Sequence, residues 1–132
     1  MNNDAGPALS SDPIHIALTF DDNFWAPSYA TMRGICATTA LRADIVFHLV
    51  HTGLRADHAD KLASIADEYG ATVLFYDIKQ SGQLRARIQN FPRIRSKNLN
   101  EIVYARLFLC DVLPDDVARV IYIDSDILVR VA

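Results

Sequence analysis

Apolar positions along the chain follow two alternating rhythms. Short continuous runs rich in β-branched and aromatic residues occupy 14–19, 45–50, 72–76 and 120–123. Runs of this length and make-up predict strands, and the unbroken 120–123 run predicts one covered on both faces, as in a parallel sheet. Between the first two, Tyr29, Met32, Cys36 and Thr39 or Ala40 recur at helical spacing through about Leu41, with Pro27 in a first turn where its missing N–H costs nothing. Between the next two, Ala59, Leu62, Ile65 or Ala66, and Tyr69 mark one helix face, and Gly70 stands where a terminating glycine belongs. Residues 80–97 hold no firm period and, with Ser81, Gly82 and Pro92, predict a long loop. Asn98-x-x-Glu101 resembles a helix-start box. From 102 to 110 the pattern is apolar nearly all round, which predicts a helix buried on more than one side. Pro114, Asp115 and Asp116 make the turn into the last strand.

The order β-α-β-α-β-loop-α-β implies parallel strands joined by right-handed crossovers, hence an α/β, doubly wound, mostly parallel sheet. At 132 residues this is one domain, taken as 14–132 behind a loose polar tail at 1–13. Hydrophobic residues at 51% and charged residues at 22% are ordinary for a soluble globular chain. A net charge of −3 gives no basic field for nucleic acid, and the local cluster Arg85, Arg87, Arg93, Arg95 and Lys97 reads as a solvated loop. No stretch is apolar enough for a membrane span and residues 1–13 lack a signal-peptide pattern, so a cytoplasmic location is expected, with peripheral contact at the inner membrane face left open. Cys36 and Cys110 fall in different predicted helices and read as small core residues in a reducing compartment.

Candidate chemistry sits at the carboxyl ends of the first and last strands, where α/β sheets bind ligands. After the last strand come Asp124-Ser125-Asp126. On an extended backbone the two aspartates point the same way, and a divalent cation that favours oxygen ligands, Mg²⁺ or Mn²⁺, would relieve their repulsion. The bland alternative is a turn in which each aspartate bonds its own backbone. After the first strand come Asp21, Asp22, Asn23, Phe24 and Trp25. If the two strands are neighbours, both sets face one crevice. Acids and an amide suit the hydroxyls and N–H groups of a nucleoside, and a flat ring stacked on a base contributes ~1–3 kcal/mol. Arg106 is the only charge between Glu101 and Asp111 and needs an anionic partner, for which a diphosphate would serve, or a route to water. Together these suit transfer of a group away from a nucleotide diphosphate, with the metal stabilising charge on the departing oxygens. Of the four histidines, His48 and His51 fall on opposite strand faces, His58 on a polar helix face and His15 in the first strand; all four read as satisfied or exposed rather than as ligands.

The segment Leu18-Thr-Phe-Asp-Asp-Asn-Phe-Trp-Ala-Pro27 resembles the nucleotide-binding opening of the family 8 glycosyltransferases, a retaining group of GT-A fold that includes bacterial lipopolysaccharide galactosyl- and glucosyltransferases. Tyr104-Ala-Arg-Leu107 followed by Val120-Ile-Tyr-Ile-Asp-Ser-Asp-Ile-Leu-Val129 resembles that family's arginine helix and DxD metal strand. The resemblance implies that Asp124 and Asp126 bind Mn²⁺ (or Mg²⁺) and, through it, the diphosphate of a UDP-sugar. It implies that Asp21 and Asn23 contact uracil and ribose and that Arg106 acts catalytically at the diphosphate or donor sugar. Thr19, Asp22, Phe24, Trp25 and Ser125 complete the implied donor-binding set. The implied reaction is metal-dependent glycosyl transfer with retention to a saccharide or glycolipid acceptor such as lipopolysaccharide.

Two departures matter. Phe24 and Trp25 stand where the family usually has one tyrosine, which leaves open which ring meets the base. The family's domain also continues well past its DxD strand, to a histidine metal ligand and most of the acceptor pocket. The chain is therefore expected to be a donor-binding portion, truncated after that strand, with an open strand edge that invites self-association. Three rival readings stand beside this one. A haloacid-dehalogenase-like phosphatase would use Asp124 as nucleophile, although Leu128 replaces its usual Thr or Val. A phosphoacceptor domain would use Asp77 but lacks its lysine. The third is a non-catalytic fragment that binds nucleotide sugar. Neither the phosphatase nor the phosphoacceptor explains the Tyr-Ala-Arg-Leu helix.

Overall fold

The computed structural model describes residues 12–80, 82, 86 and 105–130. Its central strand is β1 (Ile14–Phe20), whose alternating side chains serve two different cores. It pairs in parallel with β2 (Ile45–His51), Ile14 opposite Ile45 through Phe20 opposite His51. Strand β3 (Thr72–Asp77) lies beyond β2, and the two-residue β4 (Ile121–Tyr122) pairs with Ile16 and Ala17 on the other side of β1. The order β3-β2-β1-β4 is parallel throughout. The chain steps outward from β1 to β3 and then returns across the sheet to β4.

Because crossovers of parallel strands are right-handed, reversing the direction of travel moves the connecting helix to the opposite face. On one face α1 (Trp25–Thr38) and α2 (Ala56–Tyr69) cover Ile16, Leu18, Phe20, Phe47 and Leu49 with Met32, Cys36, Leu62 and Ile65. On the other, Ala105, Leu109 and Leu113, spaced four apart around the short α3 (Leu109–Val112), pack with Ala17, Val50 and Ile78. Each fully buried aliphatic or aromatic side chain of this kind stabilises the fold by ~1.5–3 kcal/mol. Helices on both faces of a parallel sheet are the doubly wound arrangement expected from the sequence.

Several expectations are corrected. Helix α1 stops at Thr38, since Thr39 is extended (φ −128°, ψ 145°), and a separate turn at Arg42–Asp44 leads into β2. The run 120–123 is only partly covered: Val120 and Tyr122 pack against one core and Ile123 against the other, but Ile121 is 54% exposed, and β4 is the outermost strand among the described residues. The segment around α3 is buried on one side only, with Leu107 at 58% exposure and Cys110 exposed; both cysteines are free, and only Cys36 is a core residue. The Asn98–Glu101 box, nearly all of the 80–97 stretch and residues 1–11 of the tail lie outside the described residues. Among the described residues no helix is long and apolar enough to cross a membrane.

Candidate active site

The carboxyl ends of β1 and β4 lie side by side where the strand order reverses, the position at which open α/β sheets form a ligand crevice. The adjacency that the sequence reading required is therefore present. Between the two strands, the Thr19 hydroxyl and the Tyr122 hydroxyl are hydrogen-bonded at 3.0 Å, just ahead of both exits.

From β1 the chain enters a tight turn. Asp21 is the N-cap of the turn Asp22–Phe24, its side chain accepting from the Asn23 N–H at 3.0 Å. Asp22 reaches away from that turn. Its Oδ1 accepts the Arg55 backbone N–H at 3.0 Å and lies 2.8 Å from His58 Nδ1. The His58 hydrogen bond, followed by that from Arg55, holds the Asp22 carboxyl below its ordinary pKa. The loop is thereby tied to the start of α2. The Trp25 ring stacks on His58 with centroids 4.4 Å apart at 15°, whereas Phe24 is 48% exposed. One of the two rings is committed to the protein and the other faces outward.

Of the two readings left open for His58, satisfied or exposed, the structure shows the first. Its side chain is only 16% exposed, because α2 begins directly over the β1 exit loop. Sequence reasoning missed this contact. The only signal was a histidine near a helix start, and nothing in the spacing links it to an acid 36 residues away. The other histidines have partners in the structure: His48 bonds His15 and Tyr76, and His51 Nδ1 accepts the Gly53 N–H.

From β4 the ladder continues one more bond, Ile123 N–H to the Ala17 carbonyl at 3.1 Å. Asp124 follows, and the chain then turns at Ser125 and Asp126. The backbone turns at Ser125 and Asp126 where the sequence reading had it running on extended. Both carboxylates are nevertheless exposed at the crevice end of the sheet. The turn is fastened to α1: the buried Thr31 hydroxyl donates to the Ser125 carbonyl at 3.0 Å and approaches that of Ile127 at 3.3 Å. One helical turn further, a Cβ on Gly34 would lie 3.7 Å from Val129 Cβ, an ordinary contact distance, so the chain after the turn runs close over α1 there.

A pair of exposed carboxylates suits a hard divalent cation such as Mg²⁺ or Mn²⁺, which accepts phosphate oxygens and water as its remaining ligands. Among the described residues no group of three or more His, Cys, Asp or Glu side chains gathers to hold a metal unaided. An ion at Asp124 and Asp126 would therefore take most of its coordination from a bound ligand and water. Arg106 is exposed on the turn Arg106–Phe108, so its guanidinium has a route to water and no need of a neutralising partner. A groove of about 580 Å³ lined by Asp12, His15 and Arg119 opens at the amino ends of β1 and β4, the far end of the sheet from this site.

The strand order, the reversal crevice and the two acid-bearing loops define an α/β domain with an acid-flanked crevice between β1 and β4. The chain belongs to glycosyl transferase family 8, whose sequence model matches residues 15–131. It is 29% identical to probable galacturonosyltransferase-like 4 of Arabidopsis thaliana, over 97% of this chain and 35% of that protein. To probable galacturonosyltransferase-like 3 of the same plant it is 33% identical, over 88% of this chain and 32% of that protein. The chain thus spans about a third of the length of these curated relatives. Among solved structures it resembles the galactosyltransferase LgtC in complex with donor and acceptor sugar analogues, with a TM-score of 0.69 and 25% identity, covering 90% of this chain and 40% of that one. It shares its fold with the bifunctional glycosyltransferase WbbM, with a TM-score of 0.71 and 17% identity over 96% of this chain and 21% of that one.

Proposed function

We propose that the chain is the donor-binding portion of a metal-dependent glycosyltransferase that takes a UDP-sugar and transfers the glycosyl group, with retention, to a saccharide or glycolipid acceptor such as lipopolysaccharide. The observation that carries this reading is the meeting of the Asp21–Phe24 turn and the Asp124–Asp126 turn at one end of β1 and β4. Asp21 and Asn23 would contact uracil and ribose, with Phe24 as the ring that stacks on the base, since Trp25 is already stacked on His58. Thr19 and Ser125 would line the floor between the two exits. Asp124 and Asp126 would hold Mn²⁺ or Mg²⁺, and the exposed Arg106 guanidinium would approach the diphosphate or the donor sugar. When bound, the metal supplies stabilisation of the charge that develops on the departing diphosphate. The site would work in the cytoplasm, in peripheral contact with the inner membrane face where a glycolipid acceptor lies. The names of the curated relatives favour a second choice of sugar, galacturonic acid, on the same nucleotide.

Titration of the chain with UDP, with and without Mn²⁺, tests the reading. UDP is expected to bind only with Mn²⁺, and Asp124→Ala and Asp126→Ala are each expected to abolish that metal-dependent binding. UDP affinity indifferent to Mn²⁺ and to both substitutions would sink it.

A further inference from the structure

His58 lies outside the donor-binding set derived from the sequence, yet it touches two members of that set at once. Nδ1 is 2.8 Å from Asp22 Oδ1, and the imidazole ring lies flat on the Trp25 indole at 4.4 Å. To bond a carboxylate, Nδ1 must carry the proton, which fixes the ring's orientation as well as its position. The same Asp22 oxygen also accepts the Arg55 N–H, so a single atom gathers two groups from the start of α2. The charged groups facing the imidazole are Asp22 from the β1 exit and Asp57 on its own helix. Asp57 Oδ2 lies 4.0 Å from Nε2 and is itself held by the Arg55 guanidinium.

The consequence concerns Phe24 and Trp25, adjacent residues that compete to present a ring at one turn. Asp21 fixes the turn from inside, through the Asn23 N–H. His58 fixes it from outside, by holding Asp22 on one side of Phe24 and Trp25 on the other. With both flanking residues held, Phe24 is left projecting at 48% exposure.

We propose that His58 is a positioning residue that sets specificity at the nucleotide end of the site: by clasping Asp22 and Trp25 it selects Phe24 as the ring presented to a base and keeps Asp21 and Asn23 aligned beside it. This rests on the functional reading above for the identity of the ligand, but the clasp can be measured without one. Trp25 is the chain's only tryptophan, so its fluorescence reports the clasp directly. His58→Phe keeps a ring against Trp25 and removes the donor to Asp22. His58→Asn keeps a donor near the Nδ1 position and removes the ring. His58→Ala removes both.

Acrylamide quenching of Trp25 is expected to rise in His58→Asn and His58→Ala and to stay near wild type in His58→Phe. Amide exchange at Asn23 and Phe24 is expected to quicken in His58→Phe and His58→Ala and to be rescued in His58→Asn. In the presence of Mn²⁺, UDP affinity is expected to fall about tenfold in His58→Ala, the size of one lost base stack, while pyrophosphate affinity stays within about twofold. Equal losses for UDP and pyrophosphate would overturn the proposal, because His58 would then support the whole fold rather than the base end. Unchanged quenching and exchange in His58→Ala would overturn the clasp itself. Wild type that binds neither UDP nor pyrophosphate would overturn the functional reading and the specificity role, while quenching and exchange would still decide whether the clasp exists.

Discussion

At the scale of single residues, His48 is a polar side chain buried within the sheet. It is 1% exposed, with Nε2 2.8 Å from His15 Nδ1 and Nδ1 2.8 Å from the Tyr76 hydroxyl, a chain of bonds across three strands. Burial, then the charge that His15 beside it can carry, lowers its pKa from 6.5 to about 4, against a smaller pull the other way from Asp116. Between those values the unfolded chain takes up a proton that the folded chain refuses. Stability from this site is therefore complete above pH 6.5 and drains away as the pH falls toward 4, by at most about 3 kcal/mol. The buried His51, also lowered by burial, acts in the same direction. Urea unfolding between pH 7.5 and 4 should show the midpoint falling over that window, and His48→Gln should make the fall shallower. A flat midpoint in the wild type would show that His48 titrates freely in the folded chain. The sequence reading left these histidines as satisfied or exposed, and strand parity gave the faces of His48 and His51. Their partners were out of reach, because His15, His48 and Tyr76 meet only once the order of β1, β2 and β3 is known.

At the scale of elements, legibility follows how much of an element's environment its own residues dictate. Helix α2 was readable because its amphipathic period marks one face, buried at Leu62 and Ile65, and its stop is a backbone event at Gly70. That glycine has φ 79°, donates its N–H to the Ala66 carbonyl at 2.9 Å, and has nothing within 4 Å of where a Cβ would stand. Substitution there meets no steric clash, so its cost is purely that of holding an L-residue in the left-handed region. Gly70→Ala should destabilise the chain by about 1 kcal/mol and Gly70→Asn by less, read from denaturant midpoints. Equal stability of all three would mean that the C-terminal turn of α2 rearranges at no cost. The segment around α3 was misread for the opposite reason. An apolar composition predicts burial but not which side is covered, and here Ala105, Leu109 and Leu113 turn inward while Leu107 and Cys110 face out. The same limit applied to β4, whose apolar run says strand but cannot say that it ends the sheet.

For the molecule as a whole, the deciding feature is the reversal between β1 and β4, which the alternation of strands and helices allowed but did not by itself impose. It brings the two acidic loops together, and it also leaves β4 outermost among the described strands. The chemistry of the site and the exposure of the edge therefore have one cause. Beside the short β4, Ile121 is 54% exposed and, beyond the Asp124–Asp126 turn, Ile127 is 40% and Leu128 85% exposed. Unpaired backbone groups flanked by large apolar side chains are a template for pairing with another chain. The 132-residue chain should accordingly associate with itself in a concentration-dependent way, seen as a rising weight-average sedimentation coefficient. Ile121→Lys and Leu128→Lys should each reduce that rise without lowering the unfolding free energy by more than about 0.5 kcal/mol, since neither side chain is buried. Because the Asp124–Asp126 turn lies between the two positions, Mn²⁺ with UDP should also compete with association if both use this end of the sheet. Association that neither lysine substitution reduces would place the contact on another face, and a chain that stays monomeric at all concentrations would show that the edge is too short to pair.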